Sequence, residues 1–510
     1  MTATVLFGAG SALAQPAPAG DGAPPPGAGS GSGATEAPPP APPPAPPVVA
    51  APPPVVETAP PVAPTPPPAA DDAAPTSFKI GNAYITPIGF MDFTGVWRSK
   101  AAGGGIGTNF GAIPYGPPNT ELSENRFSMQ NSRIGFRVDA PVKGAHVLGY
   151  MEADFLGNNP GNVAVSSNSN TLRSRLYFVD IKKGMLELLA GQSWSLITPS
   201  RSGISPLPGD IFFTQNVDVN YQAGLVWGRI PELRLAIHPS KQVSAAIAID
   251  QAEQYIGGSA GGSTITLPGA YSSLAGTQLN NGTTTVNAPT FLPDVIAKVA
   301  VDPTKSIHVE AGGVERQFKI FAPNKDQTFS ATGLGGFLNL NVGTPDIHLI
   351  SNNFYSSGGG RYIFGQAPDL VVHADGTLSP ITSWSTVDGI EATIQKKTLL
   401  FGYFSYIGID KTVGDAVIGT TCMDAASCVG YGYAGSPSSQ NKDIMEGTIG
   451  FNQTFWKDAK YGAVNVMGQY SYLSREPFSV GMGKPSNASL NMVFLNLRYT
   501  LPGAPPKLPD

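Results

Sequence analysis

Short turns and long loops alternate along this chain from about residue 83 onward. The turns fall near Pro141-Val142-Lys143-Gly144, Lys182-Lys183-Gly184, Pro239-Ser240-Lys241, Pro303-Thr304-Lys305, Gly343-Thr344-Pro345-Asp346, Lys396-Lys397-Thr398 and Lys457-Asp458-Ala459-Lys460. Between them lie segments near 99–123, 158–170, 196–229, 251–291, 319–328, 355–384, 410–443 and 475–486, rich in Gly, Ser, Asn, Asp and Pro as loops are. The stretches joining these connections alternate with period two. Val243, Ala245, Ile247 and Ile249 share one parity, and Ser244 and Asp250 take the other. Ile390, Ala392 and Ile394 alternate with Glu391, Thr393 and Gln395. Val493, Leu495, Leu497 and Tyr499 alternate with Asn496, Arg498 and Thr500. Such strands have one apolar and one polar face. A soluble sandwich gives the same local pattern but no reason to sort its connections by length. About eight loops and seven turns imply about sixteen strands with both ends on the turn side. The predicted fold is all-β, a transmembrane antiparallel barrel over residues 78–501.

The membrane reading rests on hydrogen-bond closure. After the first residues no apolar run reaches about 18 residues, so no transmembrane helix is written here. A closed barrel is the other structure that pairs every backbone group in hydrocarbon. Charged residues make up 13%, well under the roughly 25% of soluble domains. The net charge of −5 gives no reason to expect nucleic acid. His146, His238, His308, His348 and His373 are scattered without metal-ligand spacing. Gly103-Gly104-Gly105 lacks the Lys-Ser/Thr ending of a phosphate loop. No cofactor or metal is expected.

Residues 1–14 read as an export signal ending in Ala12-Leu13-Ala14, with the basic n-region lost with an upstream start. Residues 15–77 are almost wholly Pro, Ala, Gly, Val and Thr and cannot bury a core, so a disordered, extended periplasmic linker is expected. It is read either as a spacer reaching the cell wall or as an inert tail. Residues 502–510 form a short tail. Cys422 and Cys428 sit close together in a Gly/Ser/Asp-rich loop, and a local disulfide in an oxidising compartment is expected.

Four short motifs follow in order: Asn131-Ser132-Arg133-Ile134-Gly135-Phe136 ending the second strand, Gly149-Tyr150-Met151-Glu152-Ala153-Asp154-Phe155, Leu172-Arg173-Ser174-Arg175, and Leu189-Ala190-Gly191-Gln192-Ser193-Trp194-Ser195. This order resembles the DcaP-like family of trimeric outer-membrane porins, most densely over residues 127–197. The resemblance implies a homotrimer of sixteen-stranded barrels in the bacterial outer membrane, among lipid and lipopolysaccharide. It also implies a water-filled channel for passive diffusion of small hydrophilic, often anionic solutes such as dicarboxylates. Two departures stand out. A Pro-rich tether replaces the helical coiled-coil segment of that family, and residues follow the last aromatic strand position.

A passive pore needs placed charges rather than catalytic groups. Arg133, Arg137, Arg173 and Arg175 alternate within the second and fourth strands, and Glu152 and Asp154 within the third. With Met151, Ala153 and Phe155 on lipid, both acids face the lumen. A basic ladder then stands beside an acidic one, either as a selectivity field or as cross-strand pairs. Gln192 joins the pore-lining candidates. In many sixteen-stranded porins the third loop folds inward. By position the segment 198–228 is that loop, with Arg201, Asp210, Phe212 and Asp218 as constriction candidates. The rival readings are a barrel-embedded hydrolase and a structural tether with a plugged barrel.

Overall fold

The computed structural model describes residues 76–503 apart from 103–104, 117–118, 158–169, 212, 218–220, 259–263, 283–287, 291 and 415–428. The signal segment, nearly all of the Pro-rich stretch and the end of the tail lie outside the described residues. So do Phe212, Asp218, Cys422 and Cys428, and with them the expected disulfide.

The alternating stretches become the staves of a barrel. In chain order they are β1 Ala83–Arg98, β2 in two pieces Glu124–Ser128 and Arg133–Val142, β3 Ala145–Asp154, β4 Arg173–Lys183, β5 Leu186–Trp194, β6 Arg229–Ile237, β7 Val243–Asp250 and β8 Asp294–Thr304. The second half comprises β9 Ile307–Ala322, β10 Gln327–Gly343, β11 Ile347–Ser357, β12 Thr382–Ile394, β13 Thr398–Ile409, β14 Asn441–Asp458, β15 Gly462–Pro477 and β16 Ala488–Thr500. Each pairs antiparallel with its neighbour in sequence. The ring closes where β16 pairs with β1, from Phe90 opposite Thr500 to Arg98 opposite Met492. The result is a closed barrel of 16 strands. A short strand, Phe78–Ile80, folds back on Ala83–Ile85 ahead of it.

All seven expected turns join strands at one end. The fifth loop differs from expectation. The polar stretch after Lys319 continues the ladder, with Lys319 opposite Ser330 and Ala322 opposite Gln327, so the connection between β9 and β10 is short. Phe318, Ile320 and Ala322 still point inward and are fully buried there. Only the outward parity turns polar, as strands rising above the apolar belt require. The motif at Asn131–Phe136 likewise does not end its strand, because Arg133 opens the second piece of β2. At that break Gly89 of β1 takes φ +138°, and a Cβ there would lie 2.3 Å from the Arg133 carbonyl oxygen. Only glycine permits this approach.

The outward parity forms the apolar belt: Leu338, Ile449 and Leu495 are 54%, 64% and 58% exposed. Near the turn side a register shift between Thr454 and Trp456 lets the consecutive Phe455 and Trp456 both face out, with the Trp456 ring tilted 33° against Tyr461 at 6.2 Å. Aromatic interfacial girdles of this kind bound a hydrocarbon-facing band. An arginine at Leu495 should therefore destabilise the barrel by about 2–4 kcal/mol in lipid vesicles. Urea unfolding followed by tryptophan fluorescence checks this. An unchanged midpoint would mean that the face is wet.

Candidate functional site

The third loop, residues 195–228, lies inside the ring. It is held by wall residues on staves far apart around the barrel. Lys298 of β8 donates from Nζ to the Thr198 carbonyl at 2.6 Å, and Glu310 of β9 accepts from the Ser200 N–H at 3.1 Å. The Arg201 guanidinium meets the Glu391 carboxylate of β12 at 2.9 and 3.0 Å. On β13, Tyr403 Oη accepts from the Gln215 N–H at 2.9 Å. On β14, Glu446 accepts from the Ala223 N–H at 2.8 Å, and on β15 Gln469 Oε1 accepts from the Val217 N–H at 2.6 Å. A segment bonded to these walls crosses the lumen. An isolated bridge between Ser200 and Ile211 shapes it as an internal hairpin, and the Arg201 N–H donates to the Asp210 carbonyl at 2.8 Å. Phe213, Tyr221 and Trp227 of the loop cluster with Trp194 of β5: the Phe213 and Tyr221 rings stack with centroids 4.5 Å apart, Trp194 meets Phe213 at a tilt with centroids 4.4 Å apart, and Trp194 and Trp227 meet edge to face.

The expected ladders meet beside this loop. Glu152 and Asp154 point inward, and Met151 points out. Arg175 bridges both acids at 2.7 Å each, Arg133 reaches Glu152 at 3.3 Å and Arg173 reaches Asp154 at 2.8 Å. A register shift at Glu152/Ala153 lets Arg175 and Leu176 both bury on the inner side. Arg133 and Arg175 also approach the Tyr221 hydroxyl at 3.5 and 3.4 Å, which ties the ladder to the loop. So the charges pair across strands, the second of the two arrangements expected. Arg137 stands apart and pairs with Asp139 of its own strand at 2.7 Å. Because Asp154 and Arg175 are both buried, Asp154→Ala should cost about 3–5 kcal/mol by leaving a buried cation short of its partner. Chemical unfolding in detergent measures it. A loss under about 1 kcal/mol, typical of an exposed pair, would show that the pair is hydrated.

Gln192 departs from expectation. It lies opposite Tyr177 and Pro231 on the outward parity, and its amide donates to the Ser174 and Arg175 carbonyls. It secures the bulge in β4 rather than lining the lumen. Asp210 also sits away from the narrow region: its carboxylate takes the Ser205 hydroxyl at 2.8 Å and faces the turn-side vestibule.

Two cavities flank the loop. One of about 310 Å³ is lined by Arg133, Arg201, Arg498, Asn131, Gln215, Tyr221 and Asn452 among others. The other, of about 1040 Å³, opens toward the turns and includes Arg201, Lys182, His238 and His308. Arg201 is the residue common to both linings. Arg498 was not among the candidates. It pairs with Asp92 at 2.8 Å, a contact between the last and first staves that exists only because the ring closes. Its polar parity within β16 was the available signal. At the turn side His238 bridges Glu187 and Ser244, which joins β5 to β7.

No protein-family profile matches the sequence, and no curated protein matches it either. Solved structures do. The outer-membrane channel DcaP of Acinetobacter baumannii is similar at a TM-score of 0.60 and 14% identity, covering 84% of this chain and 100% of that one. An anion-selective porin from Comamonas acidovorans follows at 0.45 and 12%, covering 82% and 100%. OmpF of Salmonella typhi, solved with daunomycin, stands at 0.44 and 11%, covering 83% and 100%. With its ring closed, its outside apolar and its third loop drawn within, this chain has the DcaP-like outer-membrane channel fold.

Proposed function

We propose that the protein is a passive diffusion channel of the bacterial outer membrane, assembled as a homotrimer, that prefers small anionic solutes such as dicarboxylates. Closed apolar wall, inward loop and fold likeness support the channel; the motif resemblance supports the trimer. The anion preference rests on one observation. Where arginines line the cavity beside the loop, their carboxylate partners stand behind them. Arg133, Arg201 and Arg498 are lining residues, and Glu152, Glu391 and Asp92 are not. Their side chains are 17%, 24% and 23% exposed, against 8%, 4% and 0% for the paired acids. A solute in the cavity therefore meets guanidinium edges, whose forked donors suit carboxylate oxygens. Phe213 and Tyr221 share this lining, where Asn131, Gln215 and Asn452 stand beside the three arginines as polar groups.

The test is the reversal potential of purified trimer in a planar bilayer under a KCl gradient. A potential of the sign for chloride over potassium is expected. A cation-selective potential would overturn the preference, and a silent bilayer holding inserted protein would overturn the channel.

A further inference from the structure

The histidines differ in what their rings meet. His238 stands between the Glu187 carboxylate at 3.1 Å and the Ser244 hydroxyl at 3.0 Å, and a neutral ring satisfies both. His348 meets the Asn341 amide oxygen at 3.3 Å, His146 the Asp139 carboxylate at 2.9 Å and His373 the Ser379 hydroxyl at 2.7 Å. His308 is placed otherwise. Its Nδ1 lies 2.9 Å from Asp302 of β8, and its Nε2 lies 3.4 Å from Glu310 of its own stave. Among the described residues it is the histidine with a carboxylate at both ring nitrogens. An ionised carboxylate only accepts, and a neutral imidazole has a single N–H. Both contacts are satisfied together by the imidazolium.

Both acids also hold the third loop. Asp302 turns Oδ1 to His308 and accepts from the Gly203 N–H at 2.8 Å through Oδ2. Glu310 turns Oε2 to His308 and accepts from the Ser200 N–H at 3.1 Å through Oε1. One ring therefore sits behind two anchors of the same loop limb. Glu310 has further donors in Lys298 of β8 at 3.1 Å and Asn339 of β10 at 2.8 Å. For Asp302, His308 is the ion-pair partner among the described residues. Across the ladder from His308 stands the neutral Asn341, which leads on to His348 of β11. His308 is buried in the wall but lines the turn-side cavity, so protons reach it from the turn side. The charged groups that share this cavity are Arg201, paired with Glu391, together with Asp210, Lys182, Lys241 and Lys305.

We infer that His308, as the imidazolium, is a positioning residue that fixes the near limb of the third loop through Asp302 and Glu310, and that loss of its proton loosens that limb. This rests on the channel reading and adds the group through which the pore responds to pH. As pH rises through the His308 titration, the ring gives up one N–H. One of the two acids then faces a ring lone pair instead of a donor, and its charge is no longer offset. The anchors at Ser200 and Gly203 weaken, and the turn-side cavity becomes more negative by one charge. Below that titration both acids keep their donor and the limb stays fixed.

The test records the full-chain protein in a planar bilayer under a KCl gradient from about pH 6 to about pH 9, a range that brackets histidine titration. With rising pH the wild type should show growing open-channel noise. Its chloride-to-potassium permeability ratio should fall roughly threefold, the size expected of one unit charge acting through a mostly aqueous path. His308→Gln offers one donor and one acceptor at every pH, so its noise and ratio should stay flat, near the high-pH values of the wild type. His238→Gln with His348→Gln should keep the step. A flat wild-type profile, or a step that persists in His308→Gln, would overturn the assignment and leave the channel reading intact. A step in the ratio without a change in noise would make His308 a cavity charge alone and overturn its hold on the loop. Inserted protein that passes no current would remove the channel reading, and this inference with it.

Discussion

Replacing Arg133, Arg201 and Arg498 together by alanine should reverse the channel from anion- to cation-preferring. The fold tolerates the change because each acid keeps another partner. Glu152 retains Arg175 at 2.7 Å, Glu391 retains the Tyr403 hydroxyl at 2.8 Å, and Asp92 retains the Asn496 amide at 2.6 Å. What changes is the field in the lumen. Three cations at the cavity surface are lost, and three carboxylates behind them remain. At an effective dielectric near 20, one charge at about 8 Å contributes roughly 2 kcal/mol, and the water in the lumen reduces this. A fall of about tenfold or more in the anion-to-cation permeability ratio is therefore expected. The reversal potential in a salt gradient reads it directly. The pairwise neutral variant Arg201→Ala with Glu391→Gln should lie between wild type and the triple variant. An unchanged potential in all of them would remove these residues from the filter.

Cutting the loop loose should have the other large effect. Tyr403→Phe, Glu446→Ala and Gln469→Ala together remove the acceptors for the Gln215, Ala223 and Val217 N–H groups. Hydrogen bonds of this kind contribute about 0.5–1.5 kcal/mol each, and about 1.5–3 when one partner is charged. Their combined loss loosens the far limb of the hairpin, leaving it the Gln222 amide bonds to Ser405 and the Glu446 carbonyl, while Arg201 with Glu391, and Ser200 with Glu310, still hold the near limb. Unitary conductance should rise severalfold and become noisier. Steps of unchanged size would mean that the passage is limited elsewhere.

The barrel was legible in the sequence because period-two parity and the sorting of connections are local signals. The seven turns could be placed from their Lys, Pro and Gly residues alone. The fifth loop misled because strands that leave the apolar belt lose the alternation used to find them, as at Lys319 and Ser330. Parity also placed Glu152 and Asp154 inward. It failed at Gln192, which sits in a run of small and polar residues where neither face is clearly apolar. The long-range partners were beyond reach: Arg201 finds Glu391 across the lumen, and Arg498 finds Asp92 across the seam. Such contacts depend on closure and on the path of an internal loop, which no spacing in the chain encodes.

Single-channel recording of the wild-type protein in a planar bilayer addresses the whole reading at once. A sealed, water-filled cylinder narrowed by an arginine-lined loop should give discrete, ohmic steps that carry chloride in preference to potassium. Folded protein that inserts into the bilayer and passes no current would contradict it.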